Sequence, residues 1–218
     1  MPVTELKALL KHELGDLLFA ERTFLKGTRK MAKETSDPVM RERLEAHATE
    51  TEGQIRRLEE AFRAMGERPK AEKCEAALGL VEEHDSFVSE EEPSKEILEA
   101  FDLGSGLRVE HYEIAAYRSA IVLAMSLGQQ ECAGLLRENL AEEEAMAKFI
   151  ERSAAKTLKA VGRAVAASQA EESAGATKKS ATKKPTAKKS AGSTARKSTA
   201  SKGTAKKSGG SKTAAKSG

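Results

Sequence analysis

Four stretches of the chain repeat apolar residues at alternating steps of three and four, the spacing that keeps side chains on one face of an α-helix. The first carries Leu10, Leu14, Leu17, Glu21, Phe24, Thr28 and Met31, and the second Met40, Leu44, His47, Thr51, Gln54, Leu58, Ala61 and Met65. The third carries Leu103, Leu107, Glu110, Ile114, Tyr117, Ile121 and Ala124, and the fourth Leu136, Leu140, Glu143, Ala147 and Ile150. Strand patterning is nearly absent and β-branched residues are few, so the reading is an all-α domain. Helices are predicted over roughly 4–33, 38–66, 95–127 and from 129 to at least Ile150, with Asp37 as an N-cap, Pro38 at the first helical position and Gly128 as a breaker. Between the second and third helices, residues 67–94 hold Pro69, a short amphipathic piece (Cys74, Ala77, Leu78, Val81) and an acidic run ending at Pro93. Two tight antiparallel hairpins joined by one long connection predict a four-helix bundle with a single crossover.

Each seam is apolar at its ends and polar near its middle. Glu50 lies three residues after His47, and Glu113 three after Glu110, so both fall on the same inner faces. Buried carboxyls lose hydration and repel one another, at a cost of several kcal/mol per ion, unless cations sit between them. No Lys or Arg occupies those central positions. A metal ion is therefore the expected counter-ion, and oxygen ligands with one imidazole suit iron or manganese. The competing reading keeps these carboxyls protonated and hydrogen-bonded to one another, or turned to solvent at a loosened waist. His111 is rotated about 100° from Glu110 and reads as an outer hydrogen-bond donor or an interface residue. Tyr117, one turn beyond Glu113, either donates to a carboxyl, serves as a local redox buffer or, as the preferred reading, packs as a plain core residue, and Gln54 reads as an outer neighbour of the ligands. His12 and His84 have no partner at metal spacing and read as surface residues, while Gly104 and Gly106 either loosen the helix before Glu110 or mark a later helix start.

Charge divides the chain. The net +3 conceals a segment, 173–218, with 12 Lys, 1 Arg and no acid. That leaves 24 basic against 34 acidic residues before it, a net of −10. The segment lacks Val, Ile, Leu, Met and aromatics and cannot bury a core, so disorder is expected. Its basic groups, Lys178, Lys179, Lys183, Lys184, Lys188, Lys189, Arg196, Lys197, Lys206 and Lys207, suit non-specific contact with DNA phosphates, the alternative being contact with the acidic body. The expected division is a bundle over 1–155, a helical neck over 156–172 and the Lys-rich tail over 173–218. No run approaches the roughly 18 apolar residues of a membrane span, the first residues lack a signal-peptide pattern, and two Cys make no disulfide scaffold, so a cytoplasmic protein near the nucleoid is expected, with Cys74 and Cys132 free and packed within helices.

The runs LLFAER ending at 22, AHATETEGQIRRLEEAF over 46–62, CEAALGLVEE over 74–83, VEHYEIAAYRSAIVLAMSLG over 109–128 and LLRENLAEEEAM over 135–146 resemble the YciE/YciF family of ferritin-like stress proteins. The resemblance covers roughly 4–155 and is most specific in EHYEIAAY; the tail instead resembles those of linker-histone-type proteins. It implies a ferritin-like bundle, two iron ions per chain (manganese being the other candidate), a homodimer, and O2 or H2O2 as small-molecule substrate. Ferritin-like di-iron sites commonly take Glu-x-x-His from two helices. This chain has none: His47 precedes Glu50 in reverse order, Gly53 stands where the histidine would fall, and Met146 follows Glu143. By position the resemblance gives Glu21, Glu50, Glu110 and Glu143 as the four helix carboxylates, with His47 and Glu113 supplementary and Glu50 and Glu143 bridging. Two functions stay open: a di-metal oxidoreductase tethered near DNA, and an architectural DNA-binding protein whose bundle is a dimerising scaffold.

Overall fold

The computed structural model describes the backbone of residues 5–181 and the side chains of residues 5–171. Among the described residues there are five helices and no strand: α1 (Leu6–Glu34), α2 (Pro38–Ala64), α3 (Glu75–Glu91), α4 (Lys95–Ser126) and α5 (Gln130–Ala181). The unit Met1–Ala176 holds α1 to α4 and α5 as far as Ala176, so that its four long helices make an all-α bundle with α3 inside the crossover. Asp37 caps α2, its side chain accepting a hydrogen bond from Val39 N, with Pro38 opening the helix. Gly128, at φ 70°, ends the α4 hairpin arm in the left-handed conformation that a residue without Cβ adopts at little cost.

The alternation along each seam becomes three layers. At one end Leu10, Leu14, Leu17, Leu58, Phe62 and Leu136 are buried together with Tyr117 and Ala124. At the other, Ala32, Leu44, Met146 and Ile150 form a second apolar cluster. Between them lie the buried polar residues Glu21, His47, Thr51, Gln54, Glu110, Glu113, Asn139 and Glu143. A third cluster (Ala20, Phe24, Cys74, Ala77) seats α3.

Several elements differ from the sequence reading. α3 is 17 residues long, because its apolar positions are completed by α1 and α4 rather than by its own stripe. Cys74 lies outside the helix as the N-cap of α3, with Sγ accepting from Ala77 N at 3.2 Å and 2.9 Å from the Tyr112 hydroxyl. Tyr112 in turn donates to Asp16 Oδ2 at 2.9 Å. α4 begins at Lys95, so Gly104 and Gly106 are interior helical residues and the later start is excluded. α5 continues through the stretch read as a neck to Ala181, with Val161 buried. Residues 182–218, most of the Lys-rich tail, lie outside the described residues.

Candidate metal centre

The polar layer draws one to three groups from each long helix. α2 supplies His47, α4 supplies Glu110, and α5 supplies Glu143; one ligand atom from each lies within 4.8 Å of the others, and all three residues are buried. His47 Nε2 is 3.5 Å from Glu110 Oε1 and 3.8 Å from Glu143 Oε2. Its other nitrogen, Nδ1, is 3.2 Å from Glu50 Oε2, which fixes the ring between two sets of carboxyls.

Hydrogen bonds from neighbouring helices hold the carboxyls. Gln54 Nε2 donates to Glu143 Oε1, and the Tyr117 hydroxyl donates to Glu21 Oε1. Asn139 Nδ2 donates to Tyr117 Oη at 2.8 Å and to the Gln54 carbonyl at 3.2 Å, while Arg57 donates to Asn139 Oδ1 and Glu142. Among the described residues, four buried side-chain oxygens are left without a hydrogen-bond partner: Gln54 Oε1, Glu110 Oε2, Glu113 Oε1 and Glu143 Oε2. Three of them belong to carboxyls, and buried polar atoms are nearly always satisfied, so a cation at this place would complete an otherwise orphaned set.

Burial dominates the protonation of the layer. It pushes Glu21 up to about 8 against the opposing hydrogen bond from Tyr117. Burial likewise raises Glu113 and Glu143 well above the ordinary carboxylate range, and the neighbouring acids raise them further. Burial would lower His47, but hydrogen bonds to Glu110 and Glu50 outweigh it and lift the ring to about 9. Glu50 moves the other way, to about 2, held there by His47 and by Arg43. Protein carrying no metal at neutral pH therefore favours an imidazolium at His47 beside an ionised Glu50, with Glu21, Glu113 and Glu143 pushed towards their protonated forms.

The predicted residues separate into four groups. Glu21, His47, Glu110, Glu113 and Glu143 are all buried in one layer, with Gln54 and Tyr117 bonded to its carboxyls. Glu50 stands at the rim, its side chain 34% exposed and paired with Arg43 Nη1 at 2.8 Å. The inner faces are thus not free of cations: Arg43, one turn before His47, reaches in from the edge. His111 is exposed on the outside of α4, 3.7 Å from Glu151, and contributes nothing to the layer. His84 is not a plain surface residue; its Nε2 donates to Asp102 Oδ1 at 3.0 Å and its ring lies against Phe101. Lys178 and Lys179 fall on the last turns of α5, and Lys183, Lys184, Lys188, Lys189, Arg196, Lys197, Lys206 and Lys207 lie outside the described residues. Sequence reasoning missed Asn139, Arg57 and Arg43. The signal was present: Asn139 lies four residues before Glu143, and Arg57 three after Gln54, on shared helix faces.

No helix among the described residues is long and apolar enough to cross a membrane. A family model described as a domain of unknown function, DUF892, matches residues 5–162. Protein YciF of Escherichia coli K12 is 36% identical over 135 residues, which is 62% of this chain and 81% of that protein. The crystal structure of the E. coli stress protein YciF superposes with a TM-score of 0.67 at 31% identity, covering 72% of this chain and 99% of the other. YcfI of Rhodopseudomonas palustris gives 0.66 at 33% identity, covering 68% and 94%. A Xanthomonas campestris protein, 23% identical with a TM-score of 0.60 over 73% of this chain and 97% of its own, shares the fold.

Proposed function

The chain belongs to the DUF892 family and is a relative of the stress protein YciF, and from that premise we propose a ferritin-like stress protein that binds Fe(II) and reduces O2 or H2O2 at a dinuclear metal centre, with a basic tail that associates with DNA. The observation that carries the metal reading is the buried His47, Glu110, Glu143 cluster with its partnerless carboxyl oxygens. These three would hold one ion, Glu21 and Glu113 would complete a second position, and Glu50 at the rim would join when its pairing with Arg43 opens. Iron and manganese both suit this donor set; when bound, such a pair supplies the electrons that peroxide or dioxygen accepts.

The chain's own residues prepare the place. Gln54 occupies Glu143 Oε1 and leaves Oε2 free to bind. Tyr117 does the same for one oxygen of Glu21, and Glu50 holds the His47 ring so that Nε2 faces Glu110 and Glu143. The apolar clusters on either side lower the local polarity, which strengthens the charge interactions within the layer. Elemental analysis of protein purified without chelator tests the reading, comparing wild type with the double variant Glu110→Gln, Glu143→Gln. About two Fe or Mn per chain in the wild type, lost in the variant, is expected; wild-type protein that also takes up no metal on anaerobic reconstitution overturns it.

A second reading, the architectural DNA-binding protein, is favoured by the charge division at 173–218. The two agree on the tail and differ on whether the buried carboxyls matter to the cell. A strain carrying the Glu110→Gln, Glu143→Gln chain separates them: peroxide tolerance falls if the oxidoreductase reading holds and is unchanged under the architectural one. Sedimentation of the full chain tests the homodimer that both readings assume.

A further inference from the structure

Beside the polar layer lies a cavity of about 320 Å³, whose inner end is formed by His47 and Glu110. Phe24, Met31, Leu44, Val109, Met146 and Ile150 are among the residues lining it, and although threonines and Ser105 also face it, most of its exposed surface is apolar. This volume matches the smaller pockets that hold one organic molecule, about 300–1,000 Å³. Two helical glycines face the space. A Cβ on Gly27 would meet nothing within 4 Å, and one on Gly106 would meet Ile150 Cδ1 at 3.5 Å and Met31 Cε at 3.9 Å. Each glycine costs its helix about 1 kcal/mol against alanine, and what that cost maintains here is open volume.

Charges at the cavity's edge decide what can enter. At the mouth Asp37, Asp85, Glu99 and Asp102 outnumber Lys26, Lys30 and His84, while at the inner end Glu110 offsets His47. The edge therefore repels an anionic head group. It also has no spare acid for a cation: Asp102 accepts from His84, Glu99 accepts from Ser36 N at 2.6 Å, Asp37 caps α2, and Asp85 lies 3.9 Å from Lys30. Glu110 Oε2, buried and without a partner, can accept from a single donor at the inner end.

We propose that this cavity binds an uncharged, largely apolar molecule with at most one hydroxyl, and presents its inner end to the metal centre as a co-substrate. The presentation rests on the metal reading above; the binding does not. The test titrates the uncharged fluorophore phenylnaphthylamine into the full-length protein, metal-free and metal-loaded, then displaces it with decanol or with decanoate. Saturable binding in both forms is expected, with decanol displacing the probe at concentrations at least about tenfold below decanoate. Gly27→Leu and, independently, Gly106→Val should weaken probe binding by at least about tenfold with unchanged helical circular dichroism, as expected for methylenes placed in an apolar pocket. Absence of saturable binding, or two folded variants that bind as the wild type does, overturns the cavity; decanoate competing as well as decanol overturns the uncharged class. Protein that takes up no metal yet binds the probe as described sinks the metal reading and the co-substrate role, and leaves the binding site standing.

Discussion

His47 and the carboxyls around it share protons that a metal ion would have to displace. A carboxyl whose pKa rises on folding, as Glu21 does from 4.5 to about 8, contributes stability that is complete below 4.5 and lost as pH climbs through 8. His47 acts in the same direction, its contribution complete below 6.5 and lost through about 9. Glu50 acts in the opposite direction, its contribution complete above 4.5 and fading as pH falls towards 2. Metal-free protein is therefore expected to melt at progressively lower temperature between about pH 5 and 9, which calorimetry would check; a rising melting temperature across that window would contradict these shifts. Metal binding should release protons at pH 7, read as a dependence of apparent enthalpy on buffer ionisation, and affinity should rise with pH over the same range. Glu21→Gln keeps an oxygen for Tyr117 while removing the titrating group. In metal-free protein at pH 8 it should stabilise by on the order of 1–4 kcal/mol in denaturant unfolding, and at the same time lower metal uptake.

Each long helix was legible from its stripe, and Asp37 with Pro38 marked the start of α2 to the residue. Asp37→Ala should cost about 1 kcal/mol by loss of the bond to Val39 N, measured by chemical denaturation. What the stripes could not reveal is how the crossover is fastened. Glu72 N donates to the Gly15 carbonyl at 2.9 Å, and a Cβ at Gly15 would come within 2.7 Å of Glu72 Cγ and 2.9 Å of Lys70 O. Gly15 reads in sequence as one more residue of α1, because the backbone that crowds it arrives from more than fifty positions away. Gly15→Ala should push that segment off, destabilising by about 1–3 kcal/mol and speeding amide exchange in residues 70–74; exchange as slow as in the wild type would show that the fastening is unimportant. The length of α3 escaped for a related reason: its apolar partners, Phe19, Val109 and Tyr112, lie on other helices.

Over the whole chain, the division of charge was plain in sequence because it needs only counting. The expected result of deleting 173–218 is loss of DNA mobility shifts with the helical signal retained, and the intact chain should lose roughly 10³ to 10⁵ in affinity between 50 and 200 mM salt if it engages six to ten phosphates. Shifts that survive the deletion would move DNA binding to the bundle. The polar layer was legible as a set of residues but not as a circuit, because pairwise partners across helices follow from packing and not from spacing. Arg57, Asn139, Tyr117 and Glu21 belong to α2, α5, α4 and α1 in turn. A guanidinium can only donate hydrogen bonds, never accept them. Asn139 must therefore turn its oxygen outward to Arg57 and its amide inward to the tyrosine oxygen, which leaves the one phenolic hydrogen nowhere to go but Glu21. The sequence of polarities is one-way from rim to centre, so an arginine near the surface dictates which face of a deeply buried carboxyl is occupied and which stays open.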